Sequence, residues 1–350
     1  MVGNSNYQSI TCLYRSLLRQ AHRLPHEYLR QFFGIRVKES VQNALRSRKG
    51  VMKAAKLKRA RKELKRLQLA NAGDSKAFSR VLDLAYGRIG PLRHAIMKPL
   101  LSPGIDMLPP KLVPSVERSR PPVYSPELSA LLASNHARRT GKAISSAQTR
   151  SPPILPARAD LSSEQARIFG PFSKRREVNI RWRYFTSNWK SLYPPLEVCV
   201  RRSQTTRPSV DLEALGAANI RPVGLQGANV LEELVTLGGS VSSPPMPRRH
   251  RRMPSMTFAA RPESDANVPT LPVAPTRFLR RRYRELIGRV PVLTYSLSDL
   301  EKNPLSRGTY GISLVNTAIT HKARNTIEES TEANDVDMTW VDLYSTRRMP

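Results

Sequence analysis

Cysteine is almost missing from this chain. Among 350 residues only Cys12 and Cys199 occur, with no CxxC pair and no clustered histidines. That excludes a disulfide framework, a self-contained zinc finger and an iron–sulfur cage, and it suits a reducing compartment. Aromatic residues are scarce at 6 %, and acids are outnumbered, 27 against 58 lysines and arginines, for a formal net charge of +31. So lopsided a balance calls for an anionic partner, whether nucleic acid, an anionic membrane surface or an acidic protein. Long hydrophobic runs are also lacking, because charged residues interrupt every apolar stretch within a few positions; no segment has transmembrane length. No GxGxxG or P-loop follows a strand pattern and no HExxH occurs. His22, His26, His94, His136, His250 and His321 are scattered. The expectation is a protein that is not an enzyme, with no catalytic residues, no metal ligands and no cofactor of its own.

What the chain does hold is helical periodicity at its N-terminus. From Tyr7 to Leu24, Ile10, Leu13, Tyr14, Leu17, Leu18 and Ala21 fall on one amphipathic stripe, and Arg15, Arg19 and Arg23 follow one another along its flank. Leu24-Pro25 marks a turn, with Pro25 suited to the first position of the next helix. There Leu29, Phe33, Val37, Val41 and Ala44 form a second stripe, widened by Tyr28 and Phe32. Gly34 inside this helix is unfavourable by about 1 kcal/mol relative to alanine, which points to a kink or a close approach, against the plain alternative of a tolerated glycine. A third helix keeps Leu57, Ala60, Leu64 and Leu67 on one edge. Its outer face belongs to a basic run from Arg46 to Arg66 in which Glu63 is the single acid. Gly73 can stop that helix and Asp74 can cap a fourth, where Phe78, Val81, Leu82 and Ala85 again share a face. Residues 1–100 therefore read as a bundle of three to four helices.

Proline is abundant, 29 residues in all, and most of it lies further on. Residues 101–160 and 197–275 have the composition of disordered linkers, although Pro126 to Arg138 has room for a short helix and Leu212 to Leu237 has enough leucine for a brief helical contact. Two basic-aromatic islands stand out. In residues 161–196, Val178, Trp182, Phe185, Trp189 and Leu192 make a stripe beside Lys174, Arg175, Arg176, Arg181 and Arg183. In residues 276–295, Leu279, Tyr283, Leu286 and Ile287 lie beside Arg280, Arg281, Arg282 and Arg284. Both islands end on a proline-leucine or proline-valine step. Residues 296–350 form a more acidic tail without a motif. The expected fold class is all-α: an N-terminal three- to four-helix bundle, then a largely disordered Pro/Arg-rich extension carrying two short basic-aromatic helices.

The tripeptide Leu13-Tyr14-Arg15, followed by Leu17-Leu18-Arg19 near the N-terminus and by helices with Phe33 and Arg36 on the second, resembles the LYR-motif family of small mitochondrial helical proteins. The resemblance covers less than a third of the chain. It implies a non-enzymatic adaptor of the mitochondrial matrix that binds acyl carrier protein and supports assembly of a respiratory-chain complex or the mitochondrial ribosome. The carrier would supply its own acyl-phosphopantetheine. An apolar channel for the acyl chain would involve Leu13, Leu17, Phe33 and Val37 beside Tyr14. Arg15 and Arg19 would meet the carrier's carboxylates, with Arg36, Arg46, Arg48 and Lys49 extending the contact. Residues 1–24 lack acids and fit a targeting segment; its removal would delete the motif, so uncleaved targeting is expected.

A reading from a different class is a direct RNA-binding protein. Arg175, Arg176, Arg181, Trp182, Arg183, Trp189, Arg280, Arg281 and Arg282 would then provide stacking and phosphate contacts. The bland account of the same aromatics is that they pack inward as an extra helix. A membrane-surface role fits less well, because the most basic helix lacks a wide apolar face.

Overall fold

Apolar residues at helical spacing decide the N-terminal architecture. The computed structural model describes residues 3–102, 108–139, 142–201, 215–216, 220–227, 229–238, 276–296, 309–314, 333–338 and 340–341. Most of the expected second linker and most of the expected C-terminal tail lie outside the described residues. Helices dominate, as expected, and the chain divides into two compact units.

The first unit comprises Met1–Leu82, Glu232–Ile287 and Ala318–Pro350. In it α1 (Gly3–His22), α2 (Glu27–Leu45) and α3 (Gly50–Asn71) pack pairwise on one another, and α4 (Ser75–Ala85) follows. Ile10, Leu17 and Ala21 of α1, Leu29, Phe33, Val37, Val41 and Ala44 of α2, and Ala60, Leu67 and Ala70 of α3 are buried. Leu13, Tyr14, Leu57 and Leu64 are only half-buried at the edges of this seam. α2 begins at Glu27, two residues beyond Pro25, because the Arg30 guanidinium donates to the carbonyls of Leu24 (3.1 Å) and Pro25 (3.4 Å) and holds the turn extended. Gly73, at φ +88°, stops α3, and the Asp74 carboxylate accepts from the Lys76 N–H at 2.9 Å to start α4. Asn71 ties α3 to α1 by donating to the carbonyl (3.0 Å) and side-chain oxygen (2.9 Å) of Gln20.

The second unit comprises Asp83–Leu231 and Gly288–Thr317. It contains α5 (Gly90–Leu101), α6 (Pro126–Ala133), α7 (Ser146–Arg150), α8 (Glu164–Phe169) and α9 (Lys174–Lys190). α10 (Val230–Gly238), in the leucine-bearing stretch noted above, and α11 (Arg277–Ile287), in the second island, belong to the first unit, apart from Val230 and Leu231. α6 lies where the expected linker left room for a helix. Ser125 caps it, accepting from the Leu128 N–H at 3.2 Å while donating to the Leu100 carbonyl at 2.9 Å. Leu128, Leu131 and Leu132 then join Met97, Leu100, Phe185 and Leu192 in one core.

A three-stranded sheet departs from the all-α expectation. β1 (Val198–Arg201) pairs in parallel with β2 (Pro291–Ser296), and β2 pairs antiparallel with β3 (Thr309–Leu314). The two proline-marked island endings thus become neighbouring strands; proline stops the helical run, and the β-branched and aromatic residues after it favour extension. Val198 lies opposite Leu293 and Val200 opposite Tyr295, and all four enter the core. Gln226 satisfies the outer edge of β1, accepting from the Val198 N–H at 2.9 Å and donating to its carbonyl at 3.2 Å. Gly224 makes that approach feasible: at φ +83° it passes so near the Leu196 carbonyl that a Cβ would overlap it.

His26 gives the first unit a pH dependence. Its ring meets Tyr283 edge-on at 5.1 Å, and burial, aided by Arg30, pushes its pKa down to about 4. An imidazole with a depressed folded pKa is protonated first in the unfolded chain, so its contribution is complete above about pH 6.5 and is lost as pH falls toward about 4. Thermal unfolding of the full chain should show a midpoint that drops between about pH 7 and about pH 5. In His26→Gln that dependence should be shallower, and an identical slope in the variant would exclude His26 as its source.

Candidate functional site

The LYR tripeptide spreads its three side chains over different surroundings because successive helical residues turn by about 100°. Leu13 shares a flank with Gln20, seven residues on, which contacts α3 through Asn71. Tyr14 lies on the α2 side. Arg15 is exposed, as is Arg19 one turn later, while Leu17 is buried at 1 %. The sequence-predicted division into apolar seam and cationic flank is therefore present. Leu17, Phe33 and Val37 fill the seam completely, all three at 1 % exposure or less.

The seam opens instead on the side of α1 and α2 away from Gln20. A cleft of about 290 Å³ is lined by Ile10, Thr11, Tyr14, Lys38, Val41, Gln42 and Leu45. A longer trough of about 730 Å³ continues past Lys38, between Leu18 and His22 of α1 and Glu27, Arg30, Gln31, Gly34 and Ile35 of α2. Gly34 neither kinks α2 nor admits another part of the chain: the helix runs unbroken from Glu27 to Leu45, and a Cβ built at this position would meet nothing within 4 Å. Its missing side chain widens the trough. Ile35 beside it stands 60 % exposed. Sequence reasoning singled out Gly34 and Tyr14 but passed over Lys38, which lines both openings; its signal was the i, i+4 step from Gly34.

The remaining predicted cations divide between inside and outside. Arg36 donates to Glu63 at 2.6 Å, joining α2 to α3, and so consumes the single acid of the basic run. Arg46, Arg48 and Lys49 are exposed where α2 passes to α3. Lys58, Arg59, Arg61, Lys62 and Lys65 are exposed along α3. In the first island Arg175, Arg176 and Arg183 are exposed, but Arg181 donates to Glu177 (3.0 and 3.1 Å) and to the Arg150 carbonyl (2.8 Å). Trp189 is half-buried, edge-on to His94 at 5.9 Å and under the Arg93 guanidinium at 5.6 Å. Arg93 also donates to the carbonyls of Trp189, Lys190 and Leu192 at the end of α9, a structural clamp that periodicity does not reveal. In the second island Arg280 is exposed and Arg281 half-buried, whereas Arg282 is 4 % exposed and donates to Glu285 at 2.9 Å. Trp182 is the exposed one of the two island tryptophans. No cluster of three metal-ligating side chains occurs among the described residues, and no described helix is long and apolar enough to cross a membrane.

α1 thus helps to close a helical bundle with its apolar stripe and turns Arg15 and Arg19 outward. Residues 13–97, from the motif on α1 into α5, match the family LYRM2-like, LYR motif-containing protein 2-like. This part of the chain is accordingly similar to LYR-motif proteins. No curated protein and no solved structure matches the chain.

Because the trough leaves open space at Gly34, Gly34→Ala should raise the stability of the full chain by about 1 kcal/mol, the ordinary helix-propensity difference. Chemical denaturation would measure it. A loss of stability would mean that the trough is closed in solution.

Proposed function

We propose that this protein is a non-enzymatic LYR-type adaptor of the mitochondrial matrix that binds acyl carrier protein and supports assembly of a larger complex, respiratory or ribosomal. LYR-motif proteins bind acyl carrier protein in general and are typically mitochondrial adaptors. The observation that carries the reading for this chain is the cleft at Tyr14, an opening in an otherwise filled seam, on a helix whose arginines are free to meet an acidic surface. An acyl chain is excluded from water by the same effect that buries leucine, about 0.8 kcal/mol per methylene. Ile10, Tyr14, Val41 and Leu45 supply apolar wall at the mouth. For the chain to go deeper, Leu17, Phe33 and Val37 must part, so loading and seam packing compete. Lys38, Arg15, Arg19 and Arg46 provide charge for the phosphopantetheine phosphate and the carrier's carboxylates. Arg36, already paired with Glu63, contributes by holding α2 against α3.

Changing Arg15 and Arg19 to glutamate should abolish co-purification of acyl carrier protein, since like charges would face one another across the contact. The fold should survive, because exposed substitutions shift stability by no more than about 0.5 kcal/mol. Helical circular dichroism retained with the carrier lost is the expected result; carrier retained at the wild-type level would remove both arginines from the proposed surface. A carrier lacking its phosphopantetheine arm should bind poorly even to the unaltered protein.

A further inference from the structure

Large aromatic side chains are normally buried, and when one is left open its surroundings show what it could meet. Trp182, on α9, is 43 % exposed. Its indole is nonetheless fixed, because Nε1–H donates to the Arg120 carbonyl at 3.0 Å and the ring stands edge-on to Phe185 at 5.6 Å with an interplanar angle of 80°. A ring already held in place loses little freedom on binding. It borders an open cleft of about 610 Å³ lined by Asn179, Trp182, Arg183, Thr186, Ser187 and Lys190. Arg176, Arg183 and Lys190 follow at i, i+7 and i+14, a column with steps of about 10 Å along the helix. All three are exposed and none forms an ion pair among the described residues, in contrast to Lys174 and Arg181, which Glu177 holds.

We propose that this face of α9 binds single-stranded RNA, with an unpaired base stacked on Trp182 and the adjoining phosphates held by Arg183 and Lys190. A flat aromatic surface beside a line of cations is the chemistry of sequence-tolerant single-strand binding. Asn179, Thr186 and Ser187 add donors and acceptors for base edges and for the 2′-hydroxyl that distinguishes RNA from DNA. An acidic protein fits less well. A protein hot spot needs an apolar pocket sealed from water, and here a single ring is surrounded by polar and charged groups. None of these residues is assigned to carrier binding.

The test is a fluorescence-anisotropy titration of a labelled mixed-sequence oligoribonucleotide with the full-length chain at several salt concentrations. Trp182→Ala should weaken binding roughly ten-fold or more while leaving the salt slope unchanged. Trp182→Phe loses the bond to Arg120 but keeps a ring, and should retain most of the affinity. This separates stacking from damage to the fold. Arg183→Glu with Lys190→Glu should reduce the slope of log affinity against log salt by about 1.4, the value for two lost phosphate contacts on a single strand. Undiminished affinity in Trp182→Ala, equal weakening in the Phe and Ala variants, or an unaltered slope in the double variant would each overturn the proposed site. Equally tight binding of a DNA strand of the same sequence would overturn the assignment to RNA, as would displacement by polyglutamate at matched charge.

Discussion

The N-terminal region depends on a seam that three helices share, the third of them strongly basic. Each like-charged pair one turn apart costs a few tenths of a kcal/mol, and α3 carries several, among them Lys58 with Lys62 and Arg61 with Lys65. Burying one leucine or phenylalanine contributes about 1.5–3 kcal/mol, and the seam buries Leu17, Leu29, Phe33 and Leu67 together. Burial therefore outweighs repulsion, provided that the cations of α3 stay on its outer face. The same condition ties fold to binding. The side chains that hold the helices together are those an acyl chain would have to displace, and on the proposed function the cations excluded from the seam would form the surface that the carrier meets.

A net charge of +31 overstates what is available to partners. Arg36, Arg93, Arg181 and Arg282 are spent on internal contacts with carboxylates or helix-end carbonyls. Arg88 is more deeply placed, at 2 % exposure, donating to the Arg289 carbonyl at 3.4 Å with its guanidinium 5.7 Å from the Tyr193 ring centre. Burial lowers its pKa to about 10, which still leaves it charged at neutral pH. Arginine tolerates such sites because its planar, weakly hydrated group can donate in several directions at once. Composition gives only the excess of cations; the neighbours of each guanidinium decide whether it faces solvent or braces the fold.

That distinction sets what was legible in the sequence. The stripe through Ile10, Leu17 and Ala21, its continuation through Leu29, Phe33 and Val37, and the stop at Gly73 could all be read, because each is a local pattern with a fixed period. So could the division of the LYR helix into apolar and cationic flanks. Trp182 and Trp189 looked equivalent, being seven residues apart on one stripe; Arg93 and His94, almost a hundred positions earlier, cover one and leave the other open. Arg282 looked like its neighbours although Glu285 stands three residues on along the same helix; its burial is what local spacing did not show. The strands escaped notice because each is only four to six residues long. Their partners, too, lie far away in the chain, beyond the reach of local periodicity.

The parallel pairing of β1 with β2 has a consequence for synthesis. β1 ends at Arg201 and its partner strand begins at Pro291, so the pairing must wait for about ninety further residues. At ordinary elongation rates that is a delay of roughly five to twenty seconds. Gln226 emerges early enough to cover one edge of β1, but the edge that β2 will occupy stays open, with Val198, Cys199 and Val200 presented as an unpaired strand. α1, α2 and α3 meet through elements near one another in sequence and need no such wait to pack together, although His26 gains Tyr283 only later. The nascent chain thus passes through a period in which its first helices are folded and its sheet is half made, and that interval is when a chaperone has most to offer it.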